Sequence, residues 1–334
     1  MKSYFFILSI ALFSVYSCSK LKDKNIGNDQ VCNNYPSAFA NNKIANGCND
    51  LSKNILGANS TVYISTGCTG TVVAPHFVIT ASHCLYFREN FIEVQPSQVK
   101  IIFGDNGYDV LNIKMANAKN LFVNNMYKND PNKSSLGDIA LIQTEENLIE
   151  KFGVTPIKIA MNNPLNTDKI LSIGYGQTGK HDIYSAGLKR WTISQVGNLN
   201  FDKTKTRIIN NISYNIYDLF LDNVKQNRSL GNISVNYAPE ETLIVTKKVE
   251  SSEGQTCYGD SGGPQFIVRN GEALLISATQ GTSLFWQGPD YIIDPKTDDC
   301  NLGVTSLNTR IAPYMEWLNK KMSSANESLV QVAN

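Results

Sequence analysis

The residues Gly259-Asp260-Ser261-Gly262-Gly263-Pro264 place a serine inside a glycine-rich turn. A serine hydroxyl is a poor nucleophile until a base takes its proton and its attack product is stabilised. Glycines on both sides of Ser261 let the backbone approach a substrate carbonyl. They also let the N–H groups of Gly259 and Ser261 point at one oxyanion position. Alone, such a segment reads as a tight turn. Two upstream segments change that reading. His83 stands in Thr80-Ala81-Ser82-His83-Cys84, after the apolar run 71–79, and Asp138 opens the strand-like run Asp138-Ile139-Ala140-Leu141-Ile142. The chain has three histidines, and His76 and His181 read as surface or core residues. His83, Asp138 and Ser261 together have the residue types and chain order of a His…Asp…Ser triad. A lipase-type site needs its serine before its histidine, and the order here is reversed.

The elements that must hold these three residues apart in sequence and together in space are strands. Short apolar runs separated by Gly, Asn, Asp and Pro read as strands and turns. An exception is the helical spacing of Tyr314, Trp317 and Leu318, an apolar face that packs on a barrel. At 334 residues the chain accommodates an all-β domain pair of about 200–250 residues with surplus for insertions. Lys+Arg 30 against Asp+Glu 29 leaves no charge excess, which argues against nucleic acid or an anionic membrane surface as partner. No cysteine or histidine spacing fits a zinc site, so neither a metal nor another cofactor is expected.

These motifs resemble the trypsin/chymotrypsin family of serine endopeptidases, and the resemblance extends beyond the triad. Lys43 before Ile44-Ala45-Asn46-Gly47 is similar to the family's activation site, and Cys68 and Cys84 bracket the histidine as its histidine-loop disulfide does. Gly174-Tyr175-Gly176-Gln177-Thr178 resembles the entry to the family's second barrel, and Thr279-Gln280-Gly281 stands where its substrate-side edge strand would run. Gly303-Val304 and the stretch Arg310 to Leu318 resemble its closing strand and terminal helix. The resemblance implies two six-stranded antiparallel β-barrels with a C-terminal helix. It places a first barrel at 44–165, a second at 166–320 and a tail at 321–334.

The resemblance also implies roles. His83 would act as general base and then acid, Asp138 would orient its imidazole, Ser261 would attack, and the Gly259 and Ser261 N–H groups would hold the oxyanion. Cleavage after Lys43 would free the amine of Ile44 to pair with Asp260, so the uncut chain reads as a zymogen that another protease activates. Gln255, Gly281 and Gly303 fall at the primary specificity pocket. A neutral amide at 255 favours an uncharged substrate side chain, since a desolvated cation would go unpaired. Protein or peptide substrates follow. Disulfides Cys68–Cys84 and Cys257–Cys300 are implied, which leaves Cys32 with Cys48. The stretch from Asn198 to Glu253 and the segment 282–299 depart from the family and read as enlarged loops.

The N-terminus reads as an export signal at 1–17, with Lys2 before an apolar stretch from Tyr4 to Val15 that is too short to span a bilayer. Val15-Tyr16-Ser17-Cys18 resembles a bacterial lipobox, which would acylate Cys18 and make 18–43 a lipid-anchored propeptide. Seven cysteines suit that reading, because acylation of one leaves an even number. The alternative is ordinary signal cleavage nearby and secretion; on both readings the chain leaves the cytoplasm. A different class of function also fits this fold, a catalytically weak surface binding module. Such proteins usually lose a triad residue, and this sequence keeps all three.

Overall fold

A computed structural model describes residues 55–87, 92–109, 113–129, 137–179, 183–197, 204, 206–209, 211–247, 254–281 and 305–332. Six strands close a first barrel: β1 (Thr61–Ile64), β2 (Cys68–Ala74), β3 (Phe77–Thr80), β4 (Lys100–Phe103), β5 (Lys114–Val123) and β6 (Ala140–Thr144), ordered β1-β2-β3-β6-β5-β4 around the ring. Strand side chains alternate between faces, and β3 shows the result. Val78 packs into the first barrel's own core, whereas Phe77 and Ile79 join a second cluster that runs into the other half of the molecule.

That second half begins with β7 (Lys158–Ala160), β8 (Lys169–Gly174) and β9 (Arg190–Gly197). A hairpin of β10 (Thr206–Ile209) and β11 (Ile212–Asn215) follows. Then come β12 (Leu243–Lys247), β13 (Pro264–Arg269), β14 (Glu272–Gly281), β15 (Thr305–Arg310) and β16 (Gln331–Val332). Strands β13-β8-β9-β12-β15-β14 form a ring, closed by the β13–β14 pairing. Outside it, β7 runs parallel to β14, and β16 runs parallel to β7. The two six-stranded antiparallel barrels and the helix Met315–Met322, with Trp317, Leu318 and Met322 buried, agree with the sequence expectation.

Within the stretch from Asn198 to Glu253, the described residues are more ordered than expected. The described part holds the β10–β11 hairpin and a 14-residue helix, Ile216–Ser229. The asparagines that read as loop punctuation are turn and cap residues. Asn211 takes the left-handed conformation at the hairpin turn (φ 62°), which asparagine tolerates well. The Asn215 side chain accepts from the N–H groups of Tyr217 and Asp218, capping the helix. Phe220 and Val224, one turn apart, bury the inner face.

Residues far along the chain brace the first barrel. Glu327 accepts from the His76 backbone N–H at 3.1 Å and meets His76 Nδ1 at 2.6 Å. Among the described residues no helix is long and apolar enough to cross a membrane.

Phe220→Ala should lower the unfolding free energy by about 3–5 kcal/mol, and Asn215→Ala by about 1 kcal/mol. Denaturant titration measures both; an unchanged midpoint in the Phe220 variant would show that the helix is not part of the cooperative fold.

Candidate active site

Register brings the first two site residues together. β3 and β6 are antiparallel, with Thr80 opposite Ala140. The residues just past the end of β3 therefore lie beside those just before β6. His83, on a short 3₁₀ turn at Ser82–Leu85, donates its backbone N–H to Asp138 Oδ1 at 2.8 Å, and its Nδ1 lies 2.7 Å from Oδ2. A carboxylate only accepts, so Nδ1 carries the hydrogen and the neutral ring keeps its lone pair on Nε2. Asp138 is 2 % exposed, while the histidine is half-buried. Ser82 Oγ donates to the Ile139 carbonyl at 2.7 Å and fastens the same junction.

Ser261 comes from the other barrel to the edge of the histidine turn. Its carbonyl oxygen accepts from Thr69 N–H at 2.9 Å and lies 3.6 Å from Cys84 Sγ, which is itself 3.8 Å from His83 Nε2. Thr69 Oγ1 donates to the Gly259 carbonyl at 2.8 Å and accepts from Tyr175 N–H at 3.1 Å. One β2 threonine thus binds both barrels around the serine turn. The Cys68–Cys84 disulfide, with Cα atoms 6.0 Å apart, clamps β2 to the histidine turn. Gly262 has φ +78°, and a Cβ there would sit 2.1 Å from Thr80 Oγ1, so no other residue fits without rearrangement.

The turn's N–H groups divide into used and unused. Asp260 donates to the Cys257 carbonyl at 3.1 Å, Gly262 to Thr279 at 2.6 Å, and Gly263 to Asp260 at 2.9 Å. The N–H groups of Gly259 and Ser261 donate to no acceptor among the described residues, and both residues are half-exposed. Two free donors flanking a serine can stabilise a negative oxygen placed between them.

Asp260 turns inward, 1 % exposed. Its carboxylate accepts from Gly176 N–H at 2.7 Å and Cys257 N–H at 2.8 Å. The antiparallel pairing of β13 with β8, Gln265 opposite Ser172, sets this contact, because it places the start of β13 beside the end of β8. A Cβ on Gly176 would come within 2.4 Å of the carboxyl carbon, so glycine there is required by close approach. Burial pushes the carboxyl up to about 7, opposed by the two N–H donors and by the nearby Arg190 cation.

Of the remaining sequence-predicted residues, Gln255 is buried just before the turn, Gly281 ends β14, and Cys257 is disulfide-bonded. Lys43, Ile44, Gly303, Cys18, Cys32, Cys48 and Cys300 lie outside the described residues. Among the described residues, the group Cys68, His83 and Cys84 has the compactness of a metal site, but its two sulfurs are bonded to each other and offer no thiolate. Sequence reading missed Thr69, Thr80 and Arg190. Thr69 and Thr80 are buried polar positions in apolar strands, a signal that could have drawn notice.

A protein-family model described as Trypsin matches residues 54–317. The chain belongs to the Trypsin family. A venom serine protease of Polistes dominula is 23 % identical over 228 residues, covering 66 % of this chain and 79 % of that protein. Among solved structures, neuropsin, a serine protease expressed in the limbic system of mouse brain, has the same fold. Its TM-score is 0.51 at 19 % identity, over 79 % of this chain and 95 % of that one.

The buried Asp260 gives the intact chain a definite pH response. Its folded-state value of about 7 lies above the unfolded 3.8. The folded chain therefore binds the extra proton between those values, and stability falls as pH rises through that window. The contribution is on the order of 4 kcal/mol across it, lost by about pH 7 and flat above. Thermal unfolding of the intact chain from pH 4 to 8 measures this; a profile in which Asp260→Asn changes nothing would refute it.

Proposed function

We propose that the chain is a serine endopeptidase that cleaves protein or peptide bonds through an acyl-enzyme. The observation that carries this reading is the convergence of the bonded His83–Asp138 pair with Ser261, beside two unused N–H donors. His83 Nε2 takes the Ser261 Oγ proton as Oγ attacks the substrate carbonyl. The carbonyl oxygen becomes negative and receives hydrogen bonds from Gly259 and Ser261 N–H. His83 then gives the proton to the departing amine, and water repeats the sequence to release the acid. Asp138 holds the imidazole in the tautomer that leaves Nε2 basic and stabilises the imidazolium. Gln255, with Gly281 and Gly303, would shape a neutral pocket for an uncharged substrate side chain.

The same reading makes the chain an exported zymogen, secreted or anchored through Cys18. Cleavage after Lys43 by another protease would free the Ile44 ammonium. A buried ammonium needs a counter-charge, and Asp260 is a buried carboxylate one residue before the nucleophile. The inferred Cys32–Cys48 bridge would keep the propeptide attached.

A serine-directed phosphonate should label the cut chain, and Ser261→Ala should abolish labelling while leaving the protein folded. Asp138→Asn should lower turnover by about 10⁴. Normal peptidase activity in the purified Ser261 variant would end this mechanism. Lys43→Gln should block maturation, and full activity in that variant would place the activation site elsewhere.

A further inference from the structure

Two buried ionisable side chains, Arg190 and Asp260, both bond to the backbone of Gly176. Arg190, the first residue of β9, is 3 % exposed. Its Nη1 donates to the carbonyls of Ser185 at 2.7 Å and Gly176 at 3.1 Å, with Leu188 at 3.4 Å. Gly176 in turn donates its own N–H to Asp260 Oδ1 at 2.7 Å. The next peptide unit extends the connection. Its carbonyl belongs to Gly176 and faces Arg190, while its N–H belongs to Gln177 and donates to the Tyr258 carbonyl at 2.8 Å. Tyr258 adjoins Gly259, one of the two residues with an unused N–H. The guanidinium is thus linked to the turn indirectly along two routes, through Gly176 to Asp260 and through the Gly176–Gln177 peptide to Tyr258.

A guanidinium keeps its charge at every working pH, unlike an α-amine, which titrates and here would have to be created by cleavage. Among the described residues, Arg190 is the one charged side chain acting on Asp260. The other groups facing the carboxylate are the backbone N–H groups of Gly176 and Cys257. Its compensation is partial, because burial still dominates the carboxyl.

We propose that Arg190 is a positioning residue, a permanent cation that partly neutralises Asp260 and holds the Ser261 turn in its working shape before any cut. The intact chain therefore carries a measurable share of the cut chain's activity. This rests on the reading of Ser261 as the nucleophile. An arginine serving only to tie three carbonyls would be replaceable by a neutral donor; one serving as a charge would not.

The test compares Arg190→Gln, which keeps donors and loses charge, with Arg190→Lys, which keeps charge. At pH 6, phosphonate labelling of the intact wild-type chain should be slow but measurable. Arg190→Gln should slow it about tenfold, because removing a nearby cation moves a carboxylate by about one pH unit or more. Arg190→Lys should stay within about threefold of wild type, and cutting after Lys43 should shrink the Gln defect at least threefold. No labelling of the intact wild type, equal loss in Gln and Lys variants, or equal loss before and after cutting would overturn the proposal. If the Gln variant does not fold, the Lys variant decides alone, by keeping or losing intact-chain labelling.

A second arm needs no activity. In intact Ser261→Ala protein, Arg190→Gln should extend the pH-dependent loss of stability upward by about one unit. A purely structural arginine would lower stability equally at every pH. Failure of cut wild-type chain to label would refute the nucleophile itself, and this arm would still judge the Arg190–Asp260 coupling.

Discussion

Much of this molecule is arranged around one carboxylate that has been taken out of water. Asp260 sits between the ends of β8 and β13, where the N–H donors of Gly176 and Cys257 and the Arg190 cation offset part of the cost of holding a carboxylate out of water. Gly176 must be glycine to let the carboxylate approach its N–H. The turn from Cys257 to Gly263 folds back so that Cys257 can supply the second donor. With Asp260 drawn inward, Gly259 and Ser261 stay half-exposed with their N–H groups unspent. The inward side chain and the outward serine are two consequences of the same turn.

The second requirement is that this turn meet a histidine from a different barrel. Loops alone would leave the spacing soft. Here the contact is made by strand residues, Thr69 on β2 and the register of β3 against β6, and locked by the Cys68–Cys84 bridge. Rigid elements fix the distance between the groups that would react, which is where positional precision has the largest effect on rate.

Sequence made some of this legible and hid the rest for physical reasons. Ser261, His83 and Asp138 stood out because each adjoins a local pattern, a glycine turn or an apolar run, that is readable without knowing its neighbours. Short apolar runs between turn residues likewise pointed to strands, and the family resemblance supplied their arrangement as two barrels. Thr69 stayed hidden because its role exists only across a long sequence separation, 190 residues in the bond to Gly259, and Arg190 because its partners are loop carbonyls that carry no side-chain signal. The helix Ile216–Ser229 was misread because asparagine serves equally in loops, hairpin turns and caps. Only its burial partners, Phe220 and Val224, separate those uses. The short strands β7 and β16 hold too few residues to show any period.

The way the strands are distributed along the chain also sets an order of assembly. All six strands of the first barrel lie between Thr61 and Thr144, so that unit can close while later residues are still being delivered. The second ring cannot close until β15 at Thr305–Arg310 arrives, and its parallel edge waits for Gln331–Val332. Glu327 then reaches back to His76 across 251 residues of sequence. A chain emerging from a ribosome therefore completes the strands around His83 and Asp138 well before Ser261 is delivered. Assembly of the candidate site is deferred by topology until nearly the whole described fold is present.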